Sequence, residues 1–95
     1  MAEAAIWDLP AIEVAARVAA IEAFASGIQW AFAPMVVIGR DPRWGSVMDG
    51  AGEDTYVGSK IAYARVIGFH GNKVGDLNSV MGCVKRFAAY GAAVG

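Results

Sequence analysis

Ile28-Gln29-Trp30-Ala31-Phe32-Ala33-Pro34-Met35-Val36-Val37-Ile38 is the stretch on which the fold turns. It is apolar almost throughout and barely alternates. A strand with one wet face alternates with period two, whereas a strand covered on both faces, as in a parallel sheet, is apolar at nearly every position. The run therefore predicts a buried strand of a parallel sheet. Pro34 lacks the N–H that a central strand donates, so a bend or bulge is expected there.

The residues on either side read as helices. Asp8 can cap a helix that starts at Leu9-Pro10, with Pro10 tolerated in the first turn, and runs to Ser26, where Gly27 stops it. Ile12, Ala15, Ala16, Ala19 and Ala23 mark its apolar face, and Glu13 and Arg17, at i and i+4, its exposed one. Gly39 to Glu53 has no periodicity and carries Arg40, Asp41, Arg43, Asp49 and Glu53 among Gly45, Gly50 and Gly52. It is a long loop following a strand, a place where function concentrates. Asp54 caps a second helix, Thr55 to about Phe69, with Val57, Ile61, Ala64 and Gly68 at helical spacing and Gly71 at its end. A polar link, Asn72 to Ser79, leads to a second apolar run, Val80 to Phe87, and Ala88 to Gly95 is a small apolar tail. Helix, strand, helix, strand in that order predicts an α/β fold, the second helix crossing over between two parallel strands.

A chain of 95 residues is at most one small domain, yet 57% of it is hydrophobic and only 18% charged. Typical domains hold ~45–50% and ~25%. One small sphere cannot hide that much apolar surface, so part of it expects a partner. The net charge of −1 and the lack of a basic stripe exclude nucleic acid and anionic membrane as electrostatic partners. The N-terminus has an acid and no basic region, so no secretory signal is read, and a cytoplasmic location is expected as expressed. The longest uncharged run, Ala23 to Gly39, falls short of the ~20 residues of a membrane span. Cys83 stands alone, which rules out an internal disulfide, and its apolar setting suggests an inert buried thiol.

The loop supplies the only clustered carboxylates. Hydrolysis of a glycoside needs two carboxyl groups flanking the scissile bond. Asp41, Asp49, Glu53 and Asp54 are available, with Asp49 and Glu53 as the candidate pair. The competing reading pairs the acids with Arg40 and Arg43 and assigns Asp54 to the helix cap. His70, the single histidine, lies near a helix end with no spacing that suggests a Ser-His-Asp arrangement. No His or Cys pair has metal-ligand spacing, and Gly50-Ala51-Gly52 lacks the rest of a phosphate loop, so no metal and no cofactor are expected. Trp44 is the aromatic best placed to stack on a sugar; Trp30 reads as core. Lys85 lies within an apolar strand, and an unpaired ammonium there must reach a cavity, a partner or solvent.

Three segments carry a family resemblance. They are Trp30 to Ile38 leading into Arg40-Asp41-Pro42-Arg43-Trp44-Gly45, then Gly50-Ala51-Gly52-Glu53-Asp54-Thr55-Tyr56-Val57-Gly58-Ser59, and Cys83-Val84-Lys85-Arg86-Phe87. With Trp7-Asp8-Leu9-Pro10 upstream, they resemble the family 3 glycoside hydrolases, the β-glucosidase family, over essentially the whole chain. The resemblance implies a retaining exo-β-glycosidase whose N-terminal domain is a (β/α)8-type TIM barrel. Residues 1–95 would be one partial-barrel domain, its second and third helices with its third and fourth strands. The family's nucleophile is an Asp on a later strand and its general acid usually comes from a later domain; neither segment occurs in this sequence. The matching segments normally bind hydroxyl groups of the terminal sugar, which points to Lys85, Trp44 and Arg43. Four positions depart from the pattern: Arg86 stands for a His, Ser46 for an Arg, Val37 for an Asp and Thr55 for a Pro.

The expectation is a partial TIM-barrel-like α-β-α-β unit with parallel strands, completed by oligomerisation, since two strands alone leave open edges. Its function is read as a non-catalytic or weakly sugar-binding module whose partners are its own copies and a β-glucoside sugar. The alternative is a small β-glucosidase that builds its site from loop carboxylates across an oligomer interface.

Overall fold

A computed structural model of the chain describes residues 2–86, 90 and 91. Helix α1 (Ala2–Ala5) precedes α2 (Leu9–Ala25), strand β1 (Trp30–Ala31), a 3₁₀ turn at Val47–Asp49, α3 (Thr55–His70) and strand β2 (Met81–Gly82). The helix boundaries follow from local chemistry. Asp8 Oδ1 accepts from the Ala11 N–H at 3.0 Å, and Asp54 Oδ1 from the Val57 N–H at 2.7 Å, which satisfies a first-turn donor in each helix. Helix α2 ends in a Schellman turn: the Ile28 N–H donates to Ala23 O and the Gly27 N–H to Phe24 O, with Gly27 at φ 84°. Gly71, at φ 65°, ends α3.

The two long helices pack against each other through small residues. Ile12, Ala16 and Ala20 of α2 are buried, as are Ile61, Ala64 and Gly68 of α3. At Gly68 an added Cβ would lie 2.5 Å from Glu13 O and 2.6 Å from Ala16 Cβ, so the helices meet backbone to backbone there. The contact stripe on α2 therefore runs 12, 16, 20, whereas Ala15 and Ala19 are exposed. Arg17 also departs from the solvent face expected of it. It is half-buried and donates from Nη1 to Phe69 O at 3.4 Å, near the carbonyl-rich end of α3. The short α1, which has no periodicity to announce it, is held by Arg65, whose Nε donates to Glu3 Oε2 at 3.0 Å.

The strands pair in parallel, Trp30 with Met81 and Ala31 with Gly82. A further parallel bridge joins Met35 and Lys85. From Ala31 to Met35 the first strand takes four steps, while from Gly82 to Lys85 the second takes three. The first strand thus carries one extra residue between the two pairings, a β-bulge at the expected place beside Pro34. The Cys83 N–H donates to both Ala31 O and Ala33 O, each at 2.9 Å, so one donor serves two acceptors in the segment that leads into Pro34. Regular pairing is correspondingly short. Phe87, the last residue of the expected second strand, lies outside the described residues, as does most of the tail.

Expected burial of the first strand on both faces is not met within the chain. Trp30 is 53% exposed and Phe32 64%, and on the second strand Val84 is 59% exposed. Helix α3 lies along the strands, with Phe69 and Val66 close to Gly82, but no second layer faces them among the described residues. The molecule is correspondingly drawn out, 42 × 24 × 18 Å, with a radius of gyration of 13.6 Å. A compact domain of this length has ~12 Å.

Candidate functional site

The loop after the first strand is folded on itself. The Gly39 N–H donates to Gly52 O at 3.0 Å and brings the loop ends together, as in an Ω-loop. Inside it the Trp44 N–H donates to Asp41 O and the Val47 N–H to Trp44 O, both at 3.0 Å. Asp41 accepts from the Arg43 backbone N–H at 2.9 Å and from the guanidinium at 2.8 Å from Nη2. These bonds hold the Asp41 carboxyl below its usual range, the side-chain bond from Arg43 being the larger cause, and that side-chain bond raises Arg43 in turn.

The other acids have simpler surroundings. Asp49 ends the 3₁₀ turn and Glu53 precedes the α3 cap; both are exposed, and their carboxyl groups make no hydrogen bond or ion pair among the described residues. Asp54 is engaged as the cap. Lys85 is half-buried at the Met35 bridge, its N–H donating to Pro34 O and its carbonyl accepting from the Val36 N–H. Its ammonium has no partner among the described residues. His70 ends α3 and its Nε2 accepts from the Gly82 N–H at 3.4 Å, so the ring braces the strand. Among the described residues no group of His, Cys, Asp or Glu could hold a metal ion.

Tyr90, unmarked in the sequence, and Arg86, noted only as a departure from the family pattern, join the site. Tyr90 packs edge-to-face on Trp44, ring centroids 5.1 Å apart. The Arg86 guanidinium lies over the same Tyr90 ring, 4.7 Å from its centroid. Only the spacing of Arg86 and Tyr90 hinted at this, and such spacing has no meaning in a segment read as strand and tail. A separate groove of ≈ 470 Å³ runs between the Met35–Ile38 backbone and the first turns of α3, and none of Arg43, Trp44, Asp49, Glu53 or Lys85 lines it.

The full chain, residues 1–95, matches the glycosyl hydrolase family 3 N terminal domain. The chain belongs to that family. Among relatives of this family 3 segment, the periplasmic beta-glucosidase of Salmonella typhimurium is 45% identical over 92 residues. That match covers 97% of this chain and 12% of the Salmonella protein. The crystal structure of a beta-glucosidase from Listeria innocua superposes with a TM-score of 0.86 at 44% identity, covering 90% of this chain and 12% of that one. The same Listeria enzyme has been solved in complex with glucose. The family 3 segment thus spans about an eighth of the relatives it matches, with their local fold of helices and parallel strands.

Proposed function

We propose that this family 3 segment is a self-associating module that holds the sugar of a β-glucoside weakly and does not hydrolyse it. The observation that carries the reading is the uncovered apolar surface of the two strands, at Trp30, Phe32, Val36, Met81 and Val84. Burying an aliphatic or aromatic side chain contributes about 1.5–3 kcal/mol, so several together favour association of copies over exposure. Sugar contacts are assigned to Lys85, Trp44 and Arg43 by their place in the family segments, and the glucose complex of the Listeria relative supports the sugar class. Good ligand sites enclose most of their ligand. The end of two strands does not, which puts affinity on the order of millimolar or weaker. The exposed, unjoined carboxylates Asp49 and Glu53 support the absence of hydrolysis.

Light scattering coupled to size exclusion, with an aryl β-glucoside assay on the same fractions, tests both parts. The expected result is a dimer or larger species at micromolar concentration and no turnover above buffer. A stable monomer overturns the self-association. Turnover that Asp49→Ala or Glu53→Ala abolishes, with far-UV circular dichroism unchanged, overturns the non-catalytic reading in favour of a small β-glucosidase.

A further inference from the structure

Beyond the carboxylates and Lys85, the ends of the two strands carry a second arrangement. Trp44 belongs to the loop after the first strand, whereas Arg86 and Tyr90 follow the second. The Trp44 and Tyr90 rings meet at 89° with centroids 5.1 Å apart, the edge-to-face geometry that aromatic quadrupoles favour. The Arg86 guanidinium, 4.7 Å from the Tyr90 centroid, lies within the ~6 Å range of a cation–π contact. Backbone also closes on the indole. A Cβ added at Gly39 would lie 4.0 Å from Trp44 Cζ3, and one added at Gly91 2.9 Å from it. Tyr90 is thus a side chain through which the first loop and the end of the second strand touch.

We propose that Tyr90 is a positioning residue whose ring fixes the Trp44 indole and the Arg86 guanidinium as adjacent elements of one site for a neutral monosaccharide. A guanidinium held over a ring spends no N–H donor on the contact and keeps its donors for a ligand. An aromatic surface and a set of donors are the two chemistries a sugar presents partners for: apolar C–H faces and ring hydroxyl oxygens. The phenol hydroxyl has no partner among the described residues, so the ring carries the role. The proposal rests on the sugar-binding reading above, and its test separates the two.

The chain labelled with 5-fluorotryptophan gives three indole fluorine resonances, from Trp7, Trp30 and Trp44, the last assigned with Trp44→Phe. Tyr90→Leu is expected to move the Trp44 resonance by more than its line width and leave the other two in place, and Tyr90→Phe to leave all three. Titration with glucose is expected to show about two- to five-fold weaker binding in Tyr90→Leu, the factor an exposed cation–π contact implies, and wild-type binding in Tyr90→Phe. An unmoved Trp44 resonance in Tyr90→Leu overturns the proposal. So does a moved resonance with unchanged glucose affinity, which leaves the contact a packing one. If glucose perturbs no resonance of the wild type, the sugar-binding reading fails, and the fluorine shift alone decides whether Tyr90 orders Trp44. Should Tyr90→Leu lose its helical signal, Arg86→Gln at an exposed position carries the affinity test, with the same expected factor.

Discussion

Asp41 and Arg43 form a local clasp inside an exposed loop. Each bond is made within two residues, so the clasp shapes the loop more than it holds the fold, and surface pairs of this kind contribute little to stability. Its signature is in titration. The folded Asp41 carboxyl lies below the ordinary carboxyl value of 3.8, so the clasp is fully present above that pH and is lost as pH falls through the lower folded value. Carboxyl-carbon NMR is expected to place the Asp41 midpoint below 3.8, and Arg43→Ala to return it toward 3.8. This pairing was legible in the string Arg40-Asp41-Pro42-Arg43, because a turn of two residues needs no tertiary help. The placement of Trp44 against Tyr90 was not, since 46 positions of chain separate the rings.

At the level of elements, the helices obey their punctuation. Asp8, Gly27, Asp54 and Gly71 stand where the cap and stop residues were read, and the observed ends differ by one residue from those expected. Which face of α2 meets α3 was less legible, because alanine lines several faces and a stripe of alanines marks no direction. Gly68 settles it. With Glu13 O and Ala16 Cβ about to clash with any Cβ there, Gly68→Ala is expected to destabilise by about 1–3 kcal/mol despite the higher helix propensity of alanine. Urea unfolding followed at 222 nm reads the loss, and a variant as stable as the wild type would mean the helices separate at no cost. The strands are the element that the apolar run overstated. A run of this composition announces a strand that is to be covered, and the bulge at Pro34 with two-residue pairing on β1 and β2 is what forms around it.

For the whole molecule, the deciding feature is the layer that the strands lack. Helix α3 covers one side of the strands, and Trp30 and Phe32 remain exposed in an edge-to-face pair with centroids 4.9 Å apart. If association uses this pair, Trp30→Ser with Phe32→Ser is expected to give a folded monomer with an unchanged helical signal and a lower melting temperature, because the stabilisation that association adds to the folded state is lost. Light scattering of the double variant at the concentration where the wild type associates makes the comparison. A variant that stays oligomeric places the interface elsewhere on the surface.

Family membership, helix limits, the bulge position and the excess of apolar surface were all present in the order of the residues. Caps, glycine stops and proline breaks act over three to five residues, and family strings are read directly. The turn of Arg17 from solvent to the end of α3, the bracing of the strand by His70, and the meeting of Trp44, Tyr90 and Arg86 were decided by tertiary structure alone. The long-range contacts, Arg17 with Phe69, His70 with Gly82 and Trp44 with Tyr90, join groups whose separation along the chain carries no periodic signal. Only once α2 and α3 pack, and the strands align in register, do those side chains come within reach of one another.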